Sequence, residues 1–150
     1  MLLYQKKIYS NAKLNLYLEI VGKREDGYHL LETVMVPVSL YDEIDMFVYK
    51  EGSINVDVNK NIKQEDNIVY KTVKLIQEKY NLKFGFSAII KKNIPIGGGL
   101  GGGSSNCAFV LKELNNYFKF ATTEELLKIG ATLGADVPFF IINKPAFCEG

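Results

Sequence analysis

The sequence has no tryptophan, one histidine (His29), one arginine (Arg24) and two cysteines among 150 residues. Each scarcity excludes something. A lone histidine cannot seed a histidine metal cluster. A single arginine leaves bidentate guanidinium clamps nearly unavailable, so any bound phosphate must be met by backbone N–H groups and lysines. Cys107 and Cys148 lie far apart without metal-ligand spacing; they read as reduced core thiols of a cytoplasmic protein rather than a disulfide framework. An excess of one charge is also lacking, with 18 Lys+Arg against 17 Asp+Glu. That balance gives no electrostatic footprint for nucleic acid or an acidic membrane. No apolar run approaches the length of a membrane span. The opening Met1-Leu2-Leu3-Tyr4 followed by Gln5-Lys6-Lys7 is too short an apolar core for a secretory signal. Repeats, linkers and low-complexity segments are absent too. What remains is globular, 47% hydrophobic and 23% charged, with the length of one ordinary domain.

Hydrophobic periodicity divides the chain into alternating elements. Leu14, Leu16, Leu18 and Ile20 alternate with Lys13, Asn15, Tyr17 and Glu19, which predicts a half-buried strand with Lys13 and Asn15 on the non-leucine face. Leu31–Leu40 reads as a strand interrupted or at an edge near Pro37. Ile44, Met46 and Val48 predict a third strand, and Ile54, Val56 and Val58 a fourth. Asp66 stands where a helix cap belongs, before Val69, Val73, Ile76 and Tyr80 on one helical face. Phe84, Phe86, Ala88 and Ile90 return the chain to a strand. Cys107, Val110, Leu111, Leu114 and Phe118 trace a second helix starting near Ser104 and Ser105. Thr122 with Glu125 forms a capping-box pattern for a third helix ending near Leu133. Phe139–Ile142 and Ala146–Glu149 have strand character. Antiparallel strands early and strand–helix units later place the chain in the α+β class.

Six of the seven residues 97–103 are glycine, with Leu100 the exception. Glycine allows positive φ and close backbone approach to a ligand. The helix that follows offers unpaired N–H groups and the positive end of its dipole. Together these make a phosphate site. A plain turn needs one or two glycines, whereas six carry a large entropic cost and add no core contacts. Gly97, Gly99 and Gly102 formally satisfy G-x-G-x-x-G, a weak match inside such a run. The dinucleotide fold also needs a further strand ending in an acid about 20 residues on, and the sequence passes directly into another helix. No lysine follows the glycines as a Walker A loop requires. The H-R-D and D-F-G segments of protein kinases are missing.

Pro95-Ile96-Gly97-Gly98-Gly99-Leu100-Gly101-Gly102-Gly103-Ser104-Ser105-Asn106 closely resembles the phosphate loop of the GHMP small-molecule kinases. Two more segments agree with that family. Ala12-Lys13-Leu14-Asn15-Leu16, followed by Gly22-Lys23-Arg24 and Asp26-Gly27-Tyr28-His29, matches a first motif. Gly134-Ala135-Asp136-Val137-Pro138-Phe139-Phe140 matches the segment carrying a catalytic aspartate. The Asp-Gly-Tyr-His segment points to the branch of the family that acts on a cytidine diphosphate derivative of methylerythritol.

The resemblance implies an amino-terminal domain like domain 2 of ribosomal protein S5. Residues 1–150 would be the nucleotide-binding domain, and a carboxy-terminal domain would lie outside this chain. It implies ATP with Mg²⁺, and phosphorylation of the 2-hydroxyl of the methylerythritol substrate on the non-mevalonate route to isoprenoid precursors. Asp136 is then the general base and Lys13 its electrostatic partner. Pro95, Gly97, Gly98, Gly99, Leu100, Gly101, Gly102, Gly103, Ser104 and Ser105 hold the ATP phosphates. Tyr28 and His29 receive the cytosine, Asn15 hydrogen-bonds substrate, and Lys144 reaches the cytidine side. Lys91, Lys92 and Asn93 stand beside the adenine. No acidic cluster suggests a dedicated metal site, so Mg²⁺ would be held mainly by phosphates and water. Two other readings stay open: a family kinase with a different alcohol acceptor, and a nucleotide-binding fragment without catalysis.

Overall fold

The computed structural model describes the backbone of residues 1–23, 29–60 and 62–149, and the side chains of these apart from 17–32 and 148–149. Two long strands, β1 (Leu2–Lys23) and β2 (His29–Tyr49), pair antiparallel along most of their length. After them come β3 (Ile54–Val58), a 3₁₀ turn at Gln64–Asp66, and helix α1 (Ile68–Lys79). Strand β4 (Gly85–Lys91) leads through the glycine loop into α2 (Gly102–Phe118). The chain continues as α3 (Thr123–Leu133), α4 (Val137–Ile142) and β5 (Ala146–Glu149). The sheet order is β1-β2-β4-β3, with β5 also paired to β2. Only β3 and β4 run parallel among the described pairs, joined by α1.

Alternation builds the sheet's inner face. Ile44, Met46 and Val48 of β2 point the same way as Phe86, Ala88 and Ile90 of β4, and all six are buried. They pack with Val69 and Val73 of α1 and Val110 and Leu114 of α2. A second cluster fills the space among the helices, around Ile76, Cys107, Leu111, Leu126, Ile129 and Phe140. The result is a two-layer α+β fold with helices on one sheet face.

One pair of alternatives is decided and three expectations change. Pro37 does not break a strand: it lies within β2 opposite Lys13, with an unpaired edge on its other side among the described pairs. It falls between the segments of β2 that pair with β5 (32–35) and with β4 (43–49), so no neighbour on that side needs its missing N–H. The α1 cap is Asn67, whose side chain accepts the Val69 N–H at 2.8 Å, while Asp66 closes the preceding 3₁₀ turn. Phe139–Ile142 is helical, not extended. Pro138 sits in its first turn, Asn143 ends it in the left-handed conformation, and a short apolar run carries no periodicity to separate the two states. Finally, Leu14 and Leu16 face outward, 42% and 67% exposed, while Lys13 is buried. The β1–β2 register jumps from Asn11↔Tyr41 to Ala12↔Val38 just before them. The reversal lies in β1 itself, where the successive residues Ala12 and Lys13 are both buried beside this irregularity.

Candidate functional site

The loop between β4 and α2 owes its shape to glycine. Gly97, Gly99 and Gly101 have φ of 78°, 73° and 72°, where a side chain is strained. Gly101 is also the N-cap of α2. Close approach matters most there: a Cβ would lie 2.8 Å from the Phe140 ring and 3.1 Å from Lys13 Cγ. The loop bends over a cavity of about 450 Å³. One wall is the loop itself, Pro95 to Gly103, with Ser104, Asn106 and Lys92. The other is Ile62, Asp66, Asn67 and Ile68 from the approach to α1 and its first turn. The first-turn N–H groups of α2 have no intrahelical acceptors, and the helix dipole adds positive potential at this end. An amide cradle beside an apolar wall suits a phosphate chain attached to a flat ring.

The segments that carry Lys13 and Asp136 both approach this helix end. The Lys13 N–H donates to the Leu100 carbonyl at 3.0 Å, fixing the middle of the loop to β1, and its side-chain stem lies against Gly101. Asp136 occupies the N-cap position of α4 without making a capping hydrogen bond. The preceding Gly134 stands where a Cβ would be 3.5 Å from Ser104 Oγ. Both segments therefore meet the N-terminal turn of α2. Reciprocal amide hydrogen bonds between Asn11 and Asn143, at 3.0 and 2.8 Å, tie β1 near Lys13 to the end of α4. Lys112 donates to the Phe140 carbonyl at 3.1 Å and lies over the Phe109 ring. Burial holds the Lys112 ammonium pKa below its usual value, with Glu113 opposing the shift.

The other expected site residues have varied surroundings. The Ser105 hydroxyl does not face the cavity: it is buried against Ser10 Oγ at 2.7 Å, and its N–H donates to Gly101. Asn15 is exposed and accepts from Thr33 Oγ1 at 3.0 Å. Lys144 is exposed just beyond α4. Tyr28 and the side chain of His29 lie outside the described residues; the His29 backbone pairs with Lys23 at the start of β2. Lys91 is exposed on β4, whereas Lys92 is buried in an ion pair with Asp42 at 2.6 Å.

A buried polar group behind the loop joins residues that the sequence reading did not connect. Asp42, Lys92, Asn106 and Ser10 are hydrogen-bonded together beneath it. The signal for two of them lies in strand parity. Asp42 continues the inward series Ile44, Met46, Val48, and Lys92 continues Phe84, Phe86, Ala88, Ile90. Charged residues in inward register on neighbouring strands announce a buried pair.

Residues 67–144 match the family model described as the GHMP kinases N terminal domain. The chain belongs to this family. Two 4-diphosphocytidyl-2-C-methyl-D-erythritol kinases are close relatives of this GHMP domain. That of Clostridium tetani is 48% identical over 147 residues, 96% of this chain and 52% of the relative. That of Clostridium acetobutylicum is 44% identical over 141 residues, 93% of this chain and 50% of the relative. A crystal structure of 4-(cytidine 5'-diphospho)-2C-methyl-D-erythritol kinase superposes with a TM-score of 0.85 at 35% identity, covering 97% of this chain and 52% of that one. The mevalonate kinase of Methanococcus jannaschii shares the fold, with a TM-score of 0.67 at 19% identity. The chain spans about half the length of the curated relatives it matches. No described helix is long and apolar enough to cross a membrane.

Proposed function

We propose that this chain is the amino-terminal, nucleotide-binding domain of a kinase that transfers the γ-phosphate of ATP to the 2-hydroxyl of 4-diphosphocytidyl-2-C-methyl-D-erythritol. The observation that carries the reading is the likeness to kinases of that name across nearly the whole chain, coinciding with a glycine loop seated on a helix N-terminus. A carboxy-terminal domain, outside this chain, completes the enzyme. Its product would enter isoprenoid precursor synthesis by the non-mevalonate route.

The chemistry follows from the placement of groups. Phosphoryl transfer asks the protein mainly for alignment and charge stabilisation. The amides of Gly97–Gly103 and the first turn of α2 hold the phosphate chain, with Ser104 at its edge. Ile62 and Ile68 offer the apolar wall for adenine. Asp136 takes the proton of the acceptor hydroxyl. Lys13, fixed at Gly101, neutralises charge developing on the transferred group. Tyr28, His29 and Asn15 hold the cytidine-bearing substrate, and Lys144 reaches its edge. No group of three or more His, Cys, Asp or Glu poised for a metal occurs among the described residues. The oxygen donors beside the cavity, Ser104 and Asp66, suit a hard cation that keeps most of its ligands as phosphate and water. Mg²⁺ bound with ATP would supply further charge neutralisation.

The test is single-turnover phosphoryl transfer at saturating ATP, in the protein extended to the length of its relatives. Asp136→Asn keeps shape but cannot take up the proton, and should slow transfer by about 10²–10⁴-fold with ATP affinity little changed. Near-normal transfer in that variant would end the assignment of the base. Transfer to other alcohols but not to the cytidine-bearing one would favour a different family kinase.

A further inference from the structure

The glycine loop needs an external template. Its glycines offer no side chains to pin the backbone, and the chain loses more entropy on ordering there than elsewhere. One carboxylate supplies much of the order. Asp42 of β2 is fully buried. Its Oδ1 accepts the N–H groups of Asn93 at 2.7 Å and Ile94 at 2.8 Å, where the loop begins. Its Oδ2 accepts Lys92 Nζ at 2.6 Å and Asn106 Nδ2 at 3.0 Å, the latter from α2 just past the loop's end. Lys92 Nζ also donates to Asn106 Oδ1 at 2.9 Å, and Asn106 Nδ2 to Ser10 Oγ at 3.0 Å. Both ends of the loop thus hang on one side chain, and Lys92 lies against the loop itself, 3.2 Å from where a Gly102 Cβ would be.

A simple brace between β2 and β4 would not need this arrangement. Two apolar residues would join the strands at least as well, since the desolvation of a buried ion pair offsets most of its attraction. What the carboxylate adds is directional: four donors from the two segments that flank the loop, 92–94 and Asn106, converge on it, which fixes their separation and orientation.

We propose that Asp42 is a positioning residue for nucleotide binding, which with Lys92 and Asn106 clamps the two ends of the glycine loop so that its amides converge on one phosphate position. The proposal rests on the reading of the loop as the ATP phosphate site, and its test separates the two. Asp42→Leu alone leaves the Lys92 ammonium buried without its counter-charge and should lower fold stability. Adding Lys92→Met removes both charges and should recover part of that loss. In the double variant, the amides of Asn93 and Ile94, and those of Ser105 and Asn106 at the start of α2, should exchange hydrogen about tenfold faster or more, while β4 stays protected. At a temperature where the variant is fully folded, ATP affinity should fall about ten- to a hundredfold, the usual effect of losing a hydrogen bond to a charged group. Wild-type exchange at those amides would overturn the clamp. Faster exchange with unchanged ATP affinity would overturn its role in binding and leave Asp42 a structural residue. If the double variant does not fold, Asp42→Asn replaces it. That change keeps an acceptor for Asn93 and Ile94 but turns a donor toward Asn106, so exchange should rise at the start of α2 and not at Asn93; equal protection at both would refute the clamp. A wild-type chain that binds no ATP would overturn the phosphate reading, and the exchange comparison would still decide the clamp.

Discussion

Gly99 and Gly101 share a backbone conformation, with φ of 73° and 72°, yet their surroundings differ. A Cβ on Gly99 meets nothing within 4 Å, whereas one on Gly101 enters the Phe140 ring at 2.8 Å. Gly99→Ala should therefore cost only the left-handed backbone penalty, about 1–2 kcal/mol. Gly101→Ala should cost clearly more in urea unfolding and also displace Lys13. Equal losses would show that Phe140 yields freely. Cys107 presents another purely local contrast. It is fully buried beneath Thr72, whose hydroxyl donates to its sulfur at 3.1 Å. Burial pushes its thiol from 9.0 up to about 11, with the Thr72 hydrogen bond opposing. The thiolate is the reactive form, so in a Cys148→Ser background Cys107 should alkylate at pH 8 at least about a hundredfold more slowly than an ordinary thiol, burial slowing it further. Because the folded pKa is the higher one, this group's stabilisation is intact below pH 9 and is lost as pH rises towards about 11. Cys107→Ala should flatten that part of the unfolding profile, and an unchanged profile would contradict the shift.

Elements differ in how openly the sequence declares them. The capping box at Thr122 was legible because it is a purely local signal. Both of its hydrogen bonds form, from the Glu125 N–H to Thr122 Oγ1 at 3.2 Å and from the Thr122 N–H to Glu125 Oε1 at 3.3 Å. The buried face of α1 and the inward series of β4 were legible for the same reason: each repeats over several residues. The glycine loop was legible by composition alone, and it lines a cavity at the N-terminus of α2. What escaped were features decided by distant partners. Helix α4 is six residues of nearly continuous apolar sequence, and its state depends on packing against α2 and α3. The outward turn of Leu14 and Leu16 follows an irregularity at Ala12–Lys13, successive residues that are both buried where the pairing with β2 shifts. Asp42 hides in the sequence because a carboxylate between Tyr41 and Glu43 reads as surface, although its parity with Ile44 places it inside. The Gly134–Asp136 segment shows the same division: its motif is local, but the approach of Gly134 to Ser104 depends on α4 packing against α2.

At the scale of the whole molecule, the loop is where separate parts of the fold meet. The Leu100 carbonyl is held by Lys13 of β1, its flanks by Asp42 of β2, and Gly101 is covered by Phe140 of α4. Residues from both ends of the chain therefore depend on one segment that contributes little stability of its own. A ligand seated in that segment binds only the folded chain, because unfolding separates every group that shapes the cradle. Mass action then ties global stability to occupancy: ATP at a hundred times its Kd should add about 2.7 kcal/mol. For a domain of this size that is a rise in Tm of roughly 5–10 °C. The shift should grow with ATP concentration and appear equally by circular dichroism and by hydrogen exchange in β4, since the anchors join the loop to the sheet. Gly101→Ala should reduce it more than Gly99→Ala. A nicotinamide dinucleotide should give little shift at the same concentration. An equal response to the dinucleotide would reopen the dinucleotide reading of the loop, and a cooperative unfolding transition unmoved by ATP would remove the nucleotide site altogether.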